Sequence, residues 1–211
     1  MMSEQKHILI TAGPTHEPID AVRYIANRSS GRMGVALAEA SRDAGCRVTL
    51  LLGPVVIDHP EGVEVVSFES AADLQRLLDE HFSECDGLIM AAAVSDYRPS
   101  EPFDEKLPRQ GEKLTLELEM TPDLVSRLAP LKRADQWIIG FALEEDHHLK
   151  TRALEKLTRK QLDAIVANPL GTMGSADVTA TVFSSDGGEH SPGAMSKSDF
   201  THWLIDWALS R

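Results

Sequence analysis

Short apolar runs at residues 7–12, 47–53, 63–68, 87–93, 137–143 and 164–167 recur along the chain, separated mostly by stretches with helical spacing. Such alternation is the mark of a parallel sheet whose crossovers are helices. The runs are continuous in their hydrophobicity, as strands buried on both faces must be. Between them, residues 31–44, 71–82, 122–131 and 148–161 place apolar side chains at helical intervals, with Ser70 and Thr121 as N-caps of two. The expected fold class is α/β: a Rossmann-like, mostly parallel sheet with helices on both faces, plus a long flap or dimerisation excursion.

Two segments interrupt this rhythm. Residues 13–30 form a connection far longer than the ~2–6 residues usual for a βα loop. Residues 96–120 begin rich in proline and charge and end in Lys113-Leu-Thr-Leu-Glu-Leu-Glu, which alternates as an antiparallel strand would and has no obvious partner in the sheet. Long excursions from a compact sheet commonly serve as lids or binding arms. Beyond residue 171, the run 179–184 reads as a hairpin arm with Asp186-Gly-Gly as its turn, followed by an amphipathic helix over 197–209.

Acidic residues outnumber basic ones 33 to 21, a net charge of −12, and no stretch dense in Lys and Arg offsets it. This argues against nucleic-acid or anionic-membrane binding. The longest apolar runs fall well short of the ~20 residues of a membrane span, and the polar start does not read as a signal peptide. Cys46 and Cys85 lack the spacing of a metal or redox motif and read as free thiols in a reducing, cytoplasmic setting. The histidines show no ligand spacing, so no protein-held metal is expected.

Ile8-Leu-Ile-Thr-Ala-Gly13 runs a strand into a glycine, which invites comparison with an NAD(P)-dependent reductase. The glycines do not fit it. Pro14 and a long polar loop follow where a tight G-x-G-x-x-G turn belongs, and the second strand ends in Gly53-Pro54 in place of an acidic residue for a ribose. A P-loop is absent as well. Ser29-Ser30-Gly31 at a helix N-terminus does offer an anion site, with free N–H groups, two hydroxyls and the positive end of a helix dipole. The plainer reading is that Ser30 caps the helix while Gly34 lets it pack on the sheet.

The run from Ile10-Thr-Ala-Gly-Pro-Thr-His-Glu-Pro-Ile-Asp20 through Val22-Arg-Tyr-Ile-Ala-Asn27 to Ser29-Ser-Gly-Arg-Met-Gly34 resembles the opening of phosphopantothenoylcysteine synthetases. The likeness continues, in order, through Gly53-Pro-Val55, Ala92-Ala-Val-Ser-Asp-Tyr97, Glu105-Lys106, Pro122-Asp123, Gly140-Phe-Ala142, Lys156, Lys160 and Ile165-Val-Ala-Asn168. It implies a single synthetase domain over 1–211 and a ligase of coenzyme A biosynthesis that condenses 4′-phosphopantothenate with cysteine. The bacterial type uses CTP with Mg²⁺, through an acyl-cytidylate, releasing pyrophosphate and CMP. It also implies a homodimer formed through the excursion, and a separate phosphopantothenoylcysteine decarboxylase as partner. Relatives that lost catalysis and serve as regulatory or assembly subunits are the competing class.

Residue roles follow from the same resemblance. Asn27 and Lys106 are the catalytic candidates, the first as an amide donor to the reacting centre and the second as a flap lysine for the reacting phosphates. The flap departs from the family's Lys-Ile-Lys-Lys, since Pro108 and Arg109 replace the later lysines. Nucleotide contacts are expected at Ala91, Ala92, Ala93, Asp96, Lys106, Pro122, Asp123, Leu124, Val125, Phe141 at the end of its strand, Lys156 and Lys160. Substrate contacts are expected at Gly13, Arg23, Asn27, Ser29, Ser30 and Gly31. Read without the family, Asn27 is a turn residue, Phe141 is core, and Lys156 and Lys160, four apart on one helical face, are a solvated surface.

Overall fold

The computed structural model describes residues 5–109, 111, 113–172 and 177–211. In chain order the strands and helices are β1 (His7–Ala12), β2 (His16–Pro18), β3 (Tyr24–Ala26), α1 (Arg32–Asp43), β4 (Arg47–Leu52), β5 (Glu64–Ser67), α2 (Ala71–His81) and β6 (Gly87–Met90). They continue with β7 (Tyr97–Pro99), β8 (Leu118–Met120), α3 (Leu124–Leu128), β9 (Trp137–Glu144), α4 (Leu149–Arg159), β10 (Ala164–Pro169), β11 (Asp177–Val178), β12 (Thr181–Ser184), β13 (Glu189–His190), β14 (Met195–Ser196) and α5 (Lys197–Leu209).

The eight-stranded sheet has the order β5-β4-β1-β6-β9-β10-β12-β13. Its first six strands pair in parallel, and β12 and β13 close the far edge antiparallel. Successive residues of β1 point to opposite faces. Ile8, Ile10 and Ala12 join a cluster with Val35, Leu37, Phe200 and Leu204 from α1 and α5. Leu9 joins Leu74, Leu78, Leu128 and Leu157 from α2, α3 and α4 on the other face. Both faces are thus covered, as the unbroken apolar runs predict.

The edge strand β5 is the exception, because its residues are exposed or half-buried and its outer side has no strand partner among the described residues. Helix α2 is held at its start by a capping box, Ser70 and Asp73 each accepting from the other's backbone N–H. Thr121 does not cap the next helix. Its N–H donates to the Asp96 carbonyl at 2.9 Å, the chain stays extended through Pro122, and the Asp123 carboxylate accepts from Ser126 N at 3.2 Å instead. That helix is also only Leu124–Leu128, followed by a 3₁₀ turn over Ala129–Leu131. Pro130 has no N–H to continue the ladder.

Both irregular segments contain small antiparallel ribbons. β2 pairs with β3 inside 13–30, and β7 with β8 inside 96–120, so the partner for the alternating run lies within the excursion itself. Only Leu118 and Glu119 of that run are strand, with Met120 completing β8. The hairpin β12/β13 turns at Asp186, whose Oδ1 accepts from Gly188 N at 3.1 Å, with Gly187 at φ 90°. Cys46 and Cys85 are buried and unlinked. No described helix is long and apolar enough to cross a membrane.

Candidate functional site

The chain runs outward from β1 through β4 to β5, then returns to lay β6 on the other side of β1. Beyond their carboxyl ends the two connections part, which opens the crevice where sheets of this kind bind ligands. Both loops stay joined there by backbone hydrogen bonds. Ala91 N donates to Thr11 O at 3.2 Å, Ala93 N to Gly13 O at 2.8 Å and Thr15 N to Ala93 O at 3.3 Å. The Thr11 hydroxyl accepts from Ala92 N, and that of Thr15 from Ser95 N, each at 3.1 Å. Ala91, Ala92 and Ala93 therefore line the crevice as half-buried small residues on a fixed backbone.

Gly13 forms the turn out of β1 at φ 81°, with the Gly53 backbone so near that a Cβ on Gly13 would lie 3.2 Å from it. Gly31, at φ 72°, is the N-cap of α1, and no side chain caps that helix. This corrects the reading of Ser30 as cap: the left-handed turn at Gly31 takes the cap position, while Ser29 Oγ makes only a 3.4 Å contact with Gly31 N. A Cβ on Gly31 would stand 3.6 Å from Gly13 Cα, so the start of α1 abuts the crevice floor. An uncapped helix start at a crevice can take an anion on its free N–H groups.

Asn27 lies on the leg leaving β3, and its Nδ2 donates to Val94 O at 2.9 Å. An amide nitrogen carries two hydrogens, so Val94 fixes the group and leaves a second donor. Arg23 pairs with Asp20, whose side chain is fully buried. The guanidinium of Arg23, reinforced against the effect of burial by backbone N–H groups, holds the Asp20 carboxyl well below the usual carboxylate range. Arg23 is thereby engaged, which bears on its expected role toward a substrate phosphate. The segment carrying Lys106 docks here too, through Leu107 N to Asp20 Oδ2 at 3.0 Å, and Lys106 itself is exposed.

Across the crevice mouth Asp96 is exposed, and its carbonyl holds Thr121, which brings Pro122, Asp123, Leu124 and Val125 alongside. Pro122 and Asp123 are exposed, whereas Leu124 and Val125 are buried in the core, so only the backbone of those two is free to meet a ligand. The hydroxyls of Ser95 and Thr121, flanking this contact, are the buried side-chain polar atoms without a partner among the described residues.

Lys156 and Lys160 turn to different carboxylates. Lys160 Nζ lies 3.0 Å from Asp123 and Lys156 Nζ 2.6 Å from Glu144, a buried residue at the end of β9 that also receives Arg152 at 3.0 Å. Burial opposes the charge on Asp123 and on Glu144, but the cations outweigh it and hold each carboxyl below its ordinary value. Lys160 is the C-cap of α4 and lies just past the last helical residue. Phe141 does not end its strand. β9 continues to Glu144 because β10 pairs with it as far as Pro169, so Phe141 is half-buried within the strand and packs on the face of α1 and α5. Asp20 and Glu144 carry no assigned role in the sequence reading. An acid ending an apolar strand and an Asp three residues before an Arg are too ordinary among 33 acids to have singled them out.

The fold defines a Rossmann-like α/β protein, and the comparisons with known proteins agree. The family model for the DNA/pantothenate metabolism flavoprotein C-terminal domain matches residues 3–210, and the chain belongs to that family. Over 207 residues it is 42% identical to the coenzyme A biosynthesis bifunctional protein CoaBC of Bacillus subtilis, covering 96% of this chain and 50% of that one. A protein from an unknown prokaryotic organism, named cysteine/cysteine sulfinic acid decarboxylase, is 44% identical over 171 residues, 81% of this chain and 47% of that one. The chain thus spans about half the length of these curated relatives. The crystal structure of the C-terminal domain of CoaBC superposes with a TM-score of 0.83 at 34% identity, over 96% of this chain and 93% of that one.

Proposed function

We propose that this chain is a phosphopantothenoylcysteine synthetase unit that joins the carboxylate of 4′-phosphopantothenate to the amine of cysteine at the expense of CTP. A carboxylate is a poor electrophile, and conversion to a mixed anhydride supplies a nucleotide monophosphate as leaving group. A carboxylate oxygen attacks the α-phosphorus and pyrophosphate departs. The cysteine amine then attacks the acyl carbon, loses a proton, and CMP leaves with the bonding electron pair.

The observation that carries this reading is the Asn27 amide, anchored by Val94 O at the crevice and retaining a second N–H. That hydrogen serves the oxyanion that develops at the acyl carbon, a contact worth about 3 kcal/mol in enzymes where it has been removed. The phosphate of the substrate fits the uncapped start of α1 at Ser29, Ser30 and Gly31, with Gly13 beneath it; Arg23 would serve it only by giving up Asp20. The nucleotide fits against Ala91, Ala92 and Ala93, with Asp96, Pro122, Asp123, the backbone of Leu124 and Val125, and Phe141 along the crevice. Lys106, Lys156 and Lys160 supply cationic charge for the triphosphate, the last two by exchanging a carboxylate partner for a phosphate.

Among the described residues no group of three His, Cys, Asp or Glu is placed to hold a metal. In this reading Mg²⁺ enters with the nucleotide, bound by its phosphates, and supplies charge neutralisation. A second copy of the chain is the expected partner. Tyr97, Leu118 and Met120, at 53%, 47% and 75% exposure, give the β7/β8 ribbon an apolar face that a homodimer would cover. The decarboxylase implied by coenzyme A biosynthesis is a further expected partner.

Pyrophosphate release from the purified protein with 4′-phosphopantothenate, Mg²⁺ and CTP or ATP, with and without cysteine, tests the reading. Cysteine-dependent turnover with CTP is expected. Silence with every nucleotide from folded protein overturns it in favour of a non-catalytic subunit.

A further inference from the structure

The Asp20 carboxylate gathers donors from two parts of the chain far apart in sequence. Its Oδ1 accepts from Val22 N at 2.9 Å and Arg23 N at 2.8 Å, which shapes the turn between β2 and β3. Its Oδ2 accepts from Arg23 Nε at 2.9 Å, from Arg23 Nη2, and from Leu107 N at 3.0 Å. Arg23 Nη2 in turn donates to Leu107 O at 3.1 Å. The Asp20–Arg23 pair therefore grips both polar groups of one peptide residue in the excursion. Phe103 N donates to Ile19 O at 3.0 Å, a second attachment to the same turn.

The two oxygens divide the work: one builds the turn and the other receives the excursion. Lys106 directly precedes the gripped residue, and Asn27 lies four residues after Arg23 on the same ribbon. We propose that Asp20 is a positioning residue that latches the Lys106 segment through Leu107, so that Lys106 and Asn27 are presented to the crevice by one turn. The latch is read from geometry alone, and its catalytic consequence rests on the ligase reading above.

Asp20→Asn separates the latch from the turn. An asparagine oxygen in the Oδ1 position still accepts from Val22 and Arg23, while its NH₂ in the Oδ2 position faces only donors. Limited trypsin digestion of the full chain, followed at the bond after Arg109, reads release of the segment without requiring turnover. Cleavage follows the population of the open form, so losing a hydrogen bond to a charged group should accelerate it about 10- to 100-fold. The melting temperature should fall by several degrees, because a buried paired charge is lost, while cleavage at sites outside the excursion stays at the wild-type rate. Leu107→Pro deletes the gripped N–H outside the core, should accelerate the same cleavage, and decides the matter if Asp20→Asn fails to fold.

Pyrophosphate release by Asp20→Asn should fall about tenfold or more in kcat, as displacement of a positioned group does. Accelerated cleavage with a wild type silent toward every nucleotide would leave the latch standing and remove the ligase reading. Wild-type cleavage rates in folded Asp20→Asn, or in Leu107→Pro, overturn the latch.

Discussion

Gly34 sits in the first turn of α1, buried directly over β1. A Cβ at this position would stand 2.3 Å from Ala12 Cβ, 3.1 Å from Ala12 Cα and 3.1 Å from Thr11 O. Carbon atoms in contact prefer about 3.5–4.0 Å, so Gly34→Ala creates a shortfall of roughly 1.5 Å. The strand cannot yield easily, because β1 is paired on both edges by β4 and β6 and Ala12 is fully buried. The helix start must lift, loosening Val35 and Leu37 against the sheet.

Overpacking of this sort costs about 1–3 kcal/mol, and a collision with backbone and a Cβ, neither able to rotate away, belongs at the upper end. Replacing glycine within a helix returns up to ~1 kcal/mol of propensity. The balance is a loss of about 1–2 kcal/mol. With a urea m-value near ~2 kcal/mol/M, the unfolding midpoint should drop by about 0.5–1 M, and the melting temperature by roughly 2–8 °C. Gly171→Ala is the internal control, since a Cβ there meets nothing within 4 Å. Equal or greater stability of Gly34→Ala would refute the claim that close helix–strand contact fixes the identity of this residue.

Glu144→Gln removes the charge that Lys156 and Arg152 share. Those cations are 35% and 51% exposed and keep part of their water, so thermal melting at pH 7 should show a loss of about 1–2 kcal/mol, below the ~3–5 of a wholly buried pair. Asp123 and Glu144 have carboxyls held below their ordinary 3.8 and 4.5 in the folded chain. Their stabilisation is complete above those ordinary values and is lost as pH falls through the lower folded ones, so urea midpoints measured from pH 6 to pH 3 should fall less steeply in Asp123→Asn and Glu144→Gln than in the wild type. Asn27→Asp sets an acceptor against Val94 O and removes the free donor, and pyrophosphate assays with cysteine should show about a 10²–10³-fold loss in kcat with circular dichroism unchanged.

The parts of this molecule that were legible in the sequence are those whose cause is local. Five of the six parallel strands show as apolar runs because both faces are covered; β5 falls where expected, but its burial was misjudged, since an edge strand has one open side. Pro130 was in plain view, yet helical spacing over 122–131 hid its effect of ending α3 at Leu128. The alternating run 113–119 promised seven strand residues and delivered two, Leu118 and Glu119, because its partner β7 is only Tyr97–Pro99 and pairs with Leu118–Met120.

The same distinction governs the crevice. Gly13, Gly31 and Gly34 stood out because a turn or a close approach forces glycine at a fixed distance from a strand end. Asp20 and Glu144 did not, because nothing nearby in sequence separates them from the other acids among 33. Their identity comes from partners that folding delivers: Leu107 lies 87 residues from Asp20, and Lys156 lies 12 from Glu144 across the β9–α4 connection. Helical spacing placed Lys156 and Lys160 on one face but was silent on what they meet, and the fold gives each a different carboxylate. On the proposed reading a triphosphate between those two lysines must compete with Glu144 and Asp123 for them, so neutralising either acid should free its lysine and tighten nucleotide binding while weakening the fold.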